Sequence, residues 1–189
     1  MKKIEGILTS WNHKINVSAA GGHIKDKNIT LCIYRPSDTA RNLEENDIFS
    51  FSLTNDEELF FKASLTGRND PEYQELSSDE LIEQNSFMYP KQASITFFCK
   101  IDDRTETVEE DEYGKAMILE IESTIQKRIG MGYYIGRENP LVDAMVHASR
   151  IHLADEKQNE RIKNKVKEIL KNESSHIASN ILKHVGVKR

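Results

Sequence analysis

Cysteine is scarce in this chain of 189 residues: Cys32 and Cys99 are the only two, each inside an apolar run, ITLCIY and ITFFCKI. Two thiols placed in this way exclude a disulfide framework and suit a reducing compartment. Long hydrophobic runs are also missing. Every uncharged apolar stretch falls far short of the ~18–20 residues a membrane helix needs, and mean hydropathy is −0.60 with 30% charged residues. No secretory leader is expected, because Glu5 interrupts the chain right after Met1-Lys2-Lys3. Neither GxxxxGK[ST] nor a strand–GxGxxG–helix fingerprint occurs, and CxxC and HExxH are absent, so no metal site is expected. His147 and His152 lie five apart, on different faces of a helix, which favours ordinary packing or surface roles over a ligand pair. With 38% hydrophobic residues the chain can still build a core. The expectation is a cytoplasmic globular protein with no membrane partner.

Charge is divided unevenly. The net charge is −5, yet residues 156–189 hold nine Lys or Arg against four Glu, a local +5, and the remainder carries −10. A basic tail on an acidic body admits two readings. Either it contacts nucleic acid, or its helices pack on protein while their charges face solvent or the acidic body. The tail lacks the interleaved aromatics of single-strand binders. Its apolar residues Ile162, Val166, Ile169, Leu170, Ile177, Ile181, Leu182 and Val185 recur at helical spacing. Packing is the expectation, with no nucleic-acid partner.

The first half reads as β-structure. Residues 4–11 and 15–20 flank a polar turn, Asn12-His13-Lys14, which predicts a hairpin that Gly21-Gly22 ends. Residues 28–35 are rich in β-branched and aromatic side chains, and 47–53 alternate Phe49, Phe51 and Leu53 with Ser50 and Ser52. Short helices are predicted within 36–46, capped by Ser37 or Asp38, and over 56–65. Residues 66–92 read as a long polar excursion. Strands resume at 93–101 and 115–126, joined by an acidic loop over 102–114. After residue 136 the period changes. Pro140 opens a helix of about four turns bearing Leu141, Val142, Met145, Val146, Ile151 and Leu153. Two more helices span 156–171 and 175–185, with Gly186 as a stop. Strands before helices indicate an α+β fold or a barrel with a helical annex.

The segment richest in chemistry is 33–53. A strand delivers Arg35 to a turn, and a helix begins among Ser37, Asp38 and Thr39, with Asn42 one turn on. N–H groups at a helix start, the helix dipole, short hydroxyls and a guanidinium together make an anion cradle. The alternative carries equal weight: Ser37 and Asp38 merely cap the helix while Arg35 pairs with a surface acid. The acidic run Glu109–Glu112 reads as solvated, and no general acid stands out.

A strand, then S-x-T-x-x-N-[LI], a few polar residues and F-x-x-[NS] resemble the phosphate-binding segment of FMN-binding split-barrel flavoproteins, the flavin-reductase and pyridoxamine-phosphate-oxidase-like superfamily. Ser37, Thr39, Asn42, Leu43, Phe49 and Ser52 match in order. The whole layout resembles a largely archaeal branch, domain of unknown function 447. Thr9-Ser10-Trp11-Asn12 stands for its T-[TS]-x-N run and residues 15–21 for its P-N-x-A-P-M-G-like strand. TNDEELFFKASL and ENPLVDAMVHASRIHL resemble its later hallmarks. The chain departs in three places: the turn lacks Asp-Gly, SAAG replaces APMG, and Ser52 stands where flavin reductases usually have Asn.

The resemblance implies a mainly β fold with a helical C-terminal part: a six-stranded antiparallel split barrel over residues 1–130, then a helical subdomain over 137–189. It implies a homodimer with FMN at the subunit interface. Arg35, Ser37, Thr39 and the amides of 37–39, including Asp38, would hold the phosphate. Asn42 and Ser52 would offer hydrogen bonds, and main-chain groups around Ser18, Ala19 and Ala20 would approach the ring. FMN would carry the electron chemistry. The implied activity is that of a flavin-dependent oxidoreductase or flavin reductase, with a nicotinamide as electron donor. The alternative is a non-catalytic binding module that kept the barrel and repurposed the site, since fold alone does not dictate function.

Overall fold

The computed structural model describes residues 3–12, 14–65, 76–111, 114–151 and 155–187. Strands β1 (Ile4–Trp11), β2 (Ile15–Lys25) and β3 (Asn28–Tyr34) lead into helix α1 (Asp38–Glu45), strand β4 (Ile48–Leu53) and helix α2 (Glu57–Leu65). A small hairpin of β5 (Leu81–Gln84) and β6 (Phe87–Pro90) precedes the long strands β7 (Ile95–Asp111) and β8 (Gly114–Gly130). Helices α3 (Pro140–Ala148), α4 (Glu156–Ile169) and α5 (His176–His184) follow. Six strands close into a barrel in the order β1-β2-β3-β8-β7-β4, every neighbouring pair antiparallel. This is the expected architecture, with helices gathered in the C-terminal part.

The alternation of apolar and polar residues sets the barrel's inside, because successive strand side chains point to opposite faces. Phe49, Phe51 and Leu53 of β4, Ile29, Leu31 and Ile33 of β3, and Ile95, Phe97, Cys99 and Ile101 of β7 form one buried cluster. Helix α1 adds Ala40 and Leu43 to it. Asn42 Nδ2 donates to Lys14 O at 3.2 Å and Asn46 Nδ2 to Trp11 O at 2.8 Å, which ties α1 to the β1–β2 hairpin.

Gly21-Gly22 do not end the hairpin; β2 runs through them to Lys25. A Cβ on Gly22 would stand 2.7 Å from Leu31 Cδ2, and one on Gly6 would stand 2.5 Å from Phe51 Cζ. Bare backbone at these positions makes room for core side chains. The expected acidic loop over 102–114 is also mostly strand: β7 and β8 pair from Ile95↔Gly130 out to Asp111↔Gly114. The acids that suggested a loop lie on an exposed ribbon, where cross-strand pairs such as Glu110 with Lys115 offset their charge. Within the excursion over 66–92, β5 and β6 form a hairpin whose Phe87 stacks on Phe98 at 4.5 Å. Residues 66–75, with His13, Glu112, His152 and Leu153, lie outside the described residues. Helix α3 ends sooner than its apolar spacing indicated, because Arg150 N and Ile151 N bond three residues back, to His147 O and Ala148 O.

A second core joins the two halves of the chain. Leu59, Phe60 and Phe61 of α2 pack with Leu141, Val142 and Met145 of α3, Ile162 and Val166 of α4, and Ile181 and Leu182 of α5. The apolar stripe of the basic tail is therefore spent on protein packing, together with Leu170 and Val185.

Candidate functional site

Between the outer face of the barrel and the helices lies a cavity of about 330 Å³. One wall is β2 from Ser18 to Gly21 and β3 from Cys32 to Tyr34; the start of α1 contributes Ser37 and Thr39. The outer part of the β7–β8 ribbon supplies Glu109, Lys115 and Ala116, and α3 with the turn after it closes the opposite side through Val146, Ser149 and Arg150. Lys3 and Glu5, near the beginning of β1, and Gln158 of α4 complete the lining.

The structure brings five of the expected site residues together here: Ser18, Ala19, Ala20, Ser37 and Thr39. Ser37 is the N-cap of α1, and its Oγ accepts from Ala40 N at 3.1 Å. Thr39 Oγ1 accepts from Asn16 Nδ2 at 2.7 Å and lies 2.8 Å from Ser18 Oγ. The hydroxyl turn and the SAAG strand are thus joined by direct hydrogen bonds.

Four expected residues do not line the cavity. Arg35 is held by Glu44, through two bonds at 2.6 and 3.1 Å, and by Glu106 at 2.7 Å. Asp38 forms an ion pair with Arg41 one turn along. Asn42 faces Ser10 and Lys14. Ser52 is buried, with its Oγ 2.9 Å from Thr96 Oγ1.

Other residues reach the cavity from positions with no local signal. Lys3, Lys115 and Arg150 bring cationic groups from three separate stretches of the chain. Glu5 brings a carboxyl that is only 5% exposed. Cys32 also lines it, with its thiol pushed up to about 11, first by burial and then by the charge of Glu109 and the bond to it. A thiol held protonated in this way is a poor nucleophile. Among the described residues no group of three His, Cys, Asp or Glu is placed to hold a metal, and no helix is long and apolar enough to cross a membrane.

Residues 4–123 match the family model described as Protein of unknown function (DUF447) N-terminal domain. The uncharacterized protein MJ1453 of Methanocaldococcus jannaschii is 27% identical over 158 residues, 82% of this chain and 77% of that one. The crystal structure of the FMN-bound protein MM1853 from Methanosarcina mazei, a DUF447 protein, superimposes with a TM-score of 0.68 at 15% identity, covering 96% of this chain and 92% of that one. The Streptomyces globisporus NADH:FAD oxidoreductase SgcE6, in complex with NAD and FAD fragments, superimposes with a TM-score of 0.54 at 10% identity, covering 71% and 79%. At these identities the two solved structures establish the barrel fold.

Proposed function

Because the chain belongs to the DUF447 family, we propose that it is a flavoprotein that binds FMN in this cavity and works as a flavin-dependent oxidoreductase or flavin reductase. One observation carries the reading: a single cavity joins the hydroxyl-bearing start of α1 to the small-residue strand Ser18–Gly21. The residues present suit such a ligand. A helix start offers N–H groups and a positive dipole end to a phosphate, and Lys115 and Arg150 line the same cavity. Ala19 and Ala20 leave a low wall for a planar ring. The volume falls within the ~300–1,000 Å³ range of cofactor pockets.

In this reading the hydroxyls of Ser37 and Thr39 and the amides of Asp38 and Thr39 hold the phosphate, while Ser37 N donates to Tyr34 O at 3.1 Å, and main-chain groups around Ser18, Ala19 and Ala20 face the ring. Arg35, Asp38, Asn42 and Ser52 act by holding α1 and the barrel wall in place. When bound, FMN supplies the electron transfer, while the chain supplies position and electrostatics. A nicotinamide suits the role of electron donor, as NAD accompanies FAD in the Streptomyces protein. A second copy of the chain is the proposed partner, covering Met131 and Tyr133, which are 91% and 88% exposed just beyond β8.

Absorbance of the purified protein, followed by denaturation and identification of what is released, tests the reading. Flavin bands and released FMN are expected. A colourless protein that also fails to bind added FMN at tens of micromolar overturns it.

A further inference from the structure

We propose that Glu5 faces the bound flavin as the hydrogen-bond acceptor for its ring N–H, at the end of the cavity away from the Ser37–Thr39 turn. The inference rests on the flavin reading above and extends it to a residue that the hydroxyl-turn motif does not contain.

Glu5 lines the cavity, is 5% exposed, and its Oε1 has no hydrogen-bond partner. A carboxyl oxygen removed from water without a partner is costly, and folded proteins keep few such groups. Where one borders a cavity, a ligand donor that completes it explains its presence.

Its place in the register says which part of the ligand it meets. Glu5 pairs with Gly21 across β1 and β2, whereas Leu8 pairs with Ser18. Ser18 is the cavity-lining residue of β2 whose hydroxyl bonds Thr39 at the hydroxyl turn; Asn16, which also bonds it, lies still further from Gly21. Three residues along a strand span ~10 Å. The acid therefore stands well away from the proposed phosphate end, where a second negative charge would repel the ligand.

Gly21 shapes this spot. A Cβ there would collide with Lys3 Cε and approach Glu5 Oε2 to 3.1 Å, so the bare backbone lets both side chains lie over it. An ammonium donor and a carboxyl acceptor thus share one patch of the lining. The oxidised isoalloxazine has a single N–H, the imide N–H, flanked by two carbonyl oxygens. An acceptor beside a donor is the complement of that edge.

A chemical double-mutant cycle tests the proposal. FMN and 3-methyl-FMN, in which the imide N–H is replaced, are titrated into the apo-protein and followed by flavin fluorescence. The wild type is expected to bind FMN about tenfold more tightly than the methylated form. In Glu5→Ala that ratio is expected to fall to near one. Glu5→Gln keeps a neutral acceptor and is expected to lie between; it also decides the matter alone if the alanine variant does not fold. A ratio in the variants equal to that of the wild type overturns the role of Glu5 and leaves the flavin reading intact. Wild-type protein that binds neither compound overturns the flavin reading itself.

Discussion

Thr39 is where the two halves of the proposed site meet, since its hydroxyl bonds both Asn16 and Ser18 of β2. Ser37 beside it caps α1. Replacing both with alanine is expected to weaken FMN by about 2–4 kcal/mol, taking each bond to a charged acceptor at ~1.5–3 kcal/mol with incomplete additivity. Loss of the cap alone should lower stability by about 1 kcal/mol. Calorimetric titration and urea melts separate the two effects, and an unchanged flavin affinity would sink the phosphate assignment. The thiols give a second expectation at this scale. Burial first of all pushes Cys32 from its ordinary 9.0 up to about 11 and Cys99 up to about 12. As pH rises from 9 to 12, the unfolded chain therefore releases thiol protons that the fold retains. Stability from this source is complete below pH 9 and is lost through that window. Melting temperatures measured from neutral pH upward should fall less steeply there in Cys32→Ala with Cys99→Ala than in the wild type.

Among the elements, α2 and α3 are coupled through Asn139. Its Oδ1 accepts from Leu141 N at 2.8 Å and Val142 N at 3.3 Å, capping α3, while its Nδ2 donates to Glu57 Oε1 of α2 at 2.7 Å. Pro140 follows at the first helical position, where its missing N–H costs nothing. Asn139→Ala removes the cap and the bridge at once. A loss of about 1–2 kcal/mol is expected in urea unfolding, with Asn139→Asp retaining most of the capping part. Equal stability of the alanine variant would show that packing of Leu141 and Val142 alone sets the start of α3. The same packing bears on the proposed boundary between residues 130 and 137, because α2 belongs to the barrel segment but buries Phe60 and Phe61 among the C-terminal helices.

At the scale of the whole molecule, the exposed apolar residues beyond β8 and the homodimer with a flavin at its interface that the resemblance implies lead to one expectation. Light scattering at micromolar concentration should return twice the 21.7 kDa of the chain. Met131→Asp combined with Tyr133→Asp should shift that mass to the single-chain value and weaken flavin binding. A stable wild-type monomer that still holds flavin would rule the dimer out. The basic helices α4 and α5 are bound into the second core through Ile162, Val166, Ile181 and Leu182. Their apolar faces are covered by this chain's own α2 and α3.

The sequence by itself determined what depends on neighbours within one or two turns. The starts of α1 and α3 were legible from the Ser37-Asp38 pair and from Pro140, because capping bonds reach two or three residues and a proline's fixed φ suits a first helical turn. The inside of β4 was legible from Phe49, Phe51 and Leu53, because strand alternation has a period of two. The family motif likewise located the hydroxyl turn that lines the cavity. Tertiary structure alone decided what depends on distant pairing. The acid-rich stretch after Ile101 is strand because β8 supplies its hydrogen bonds, and Gly21-Gly22 continue β2 because β1 pairs with both, while Leu31 takes the space at Gly22 and Lys3 and Glu5 that at Gly21. Arg35 is shared between Glu44, nine residues on, and Glu106, 71 residues away, and only the second of these pairings is decided by the fold at long range. Glu5 had no local mark, since one acid in IEGILTSW reads as a residue on a strand's solvent face. Its burial follows from where β1 lies in the closed barrel and from what packs over it, and neither is encoded within reach of its own neighbours.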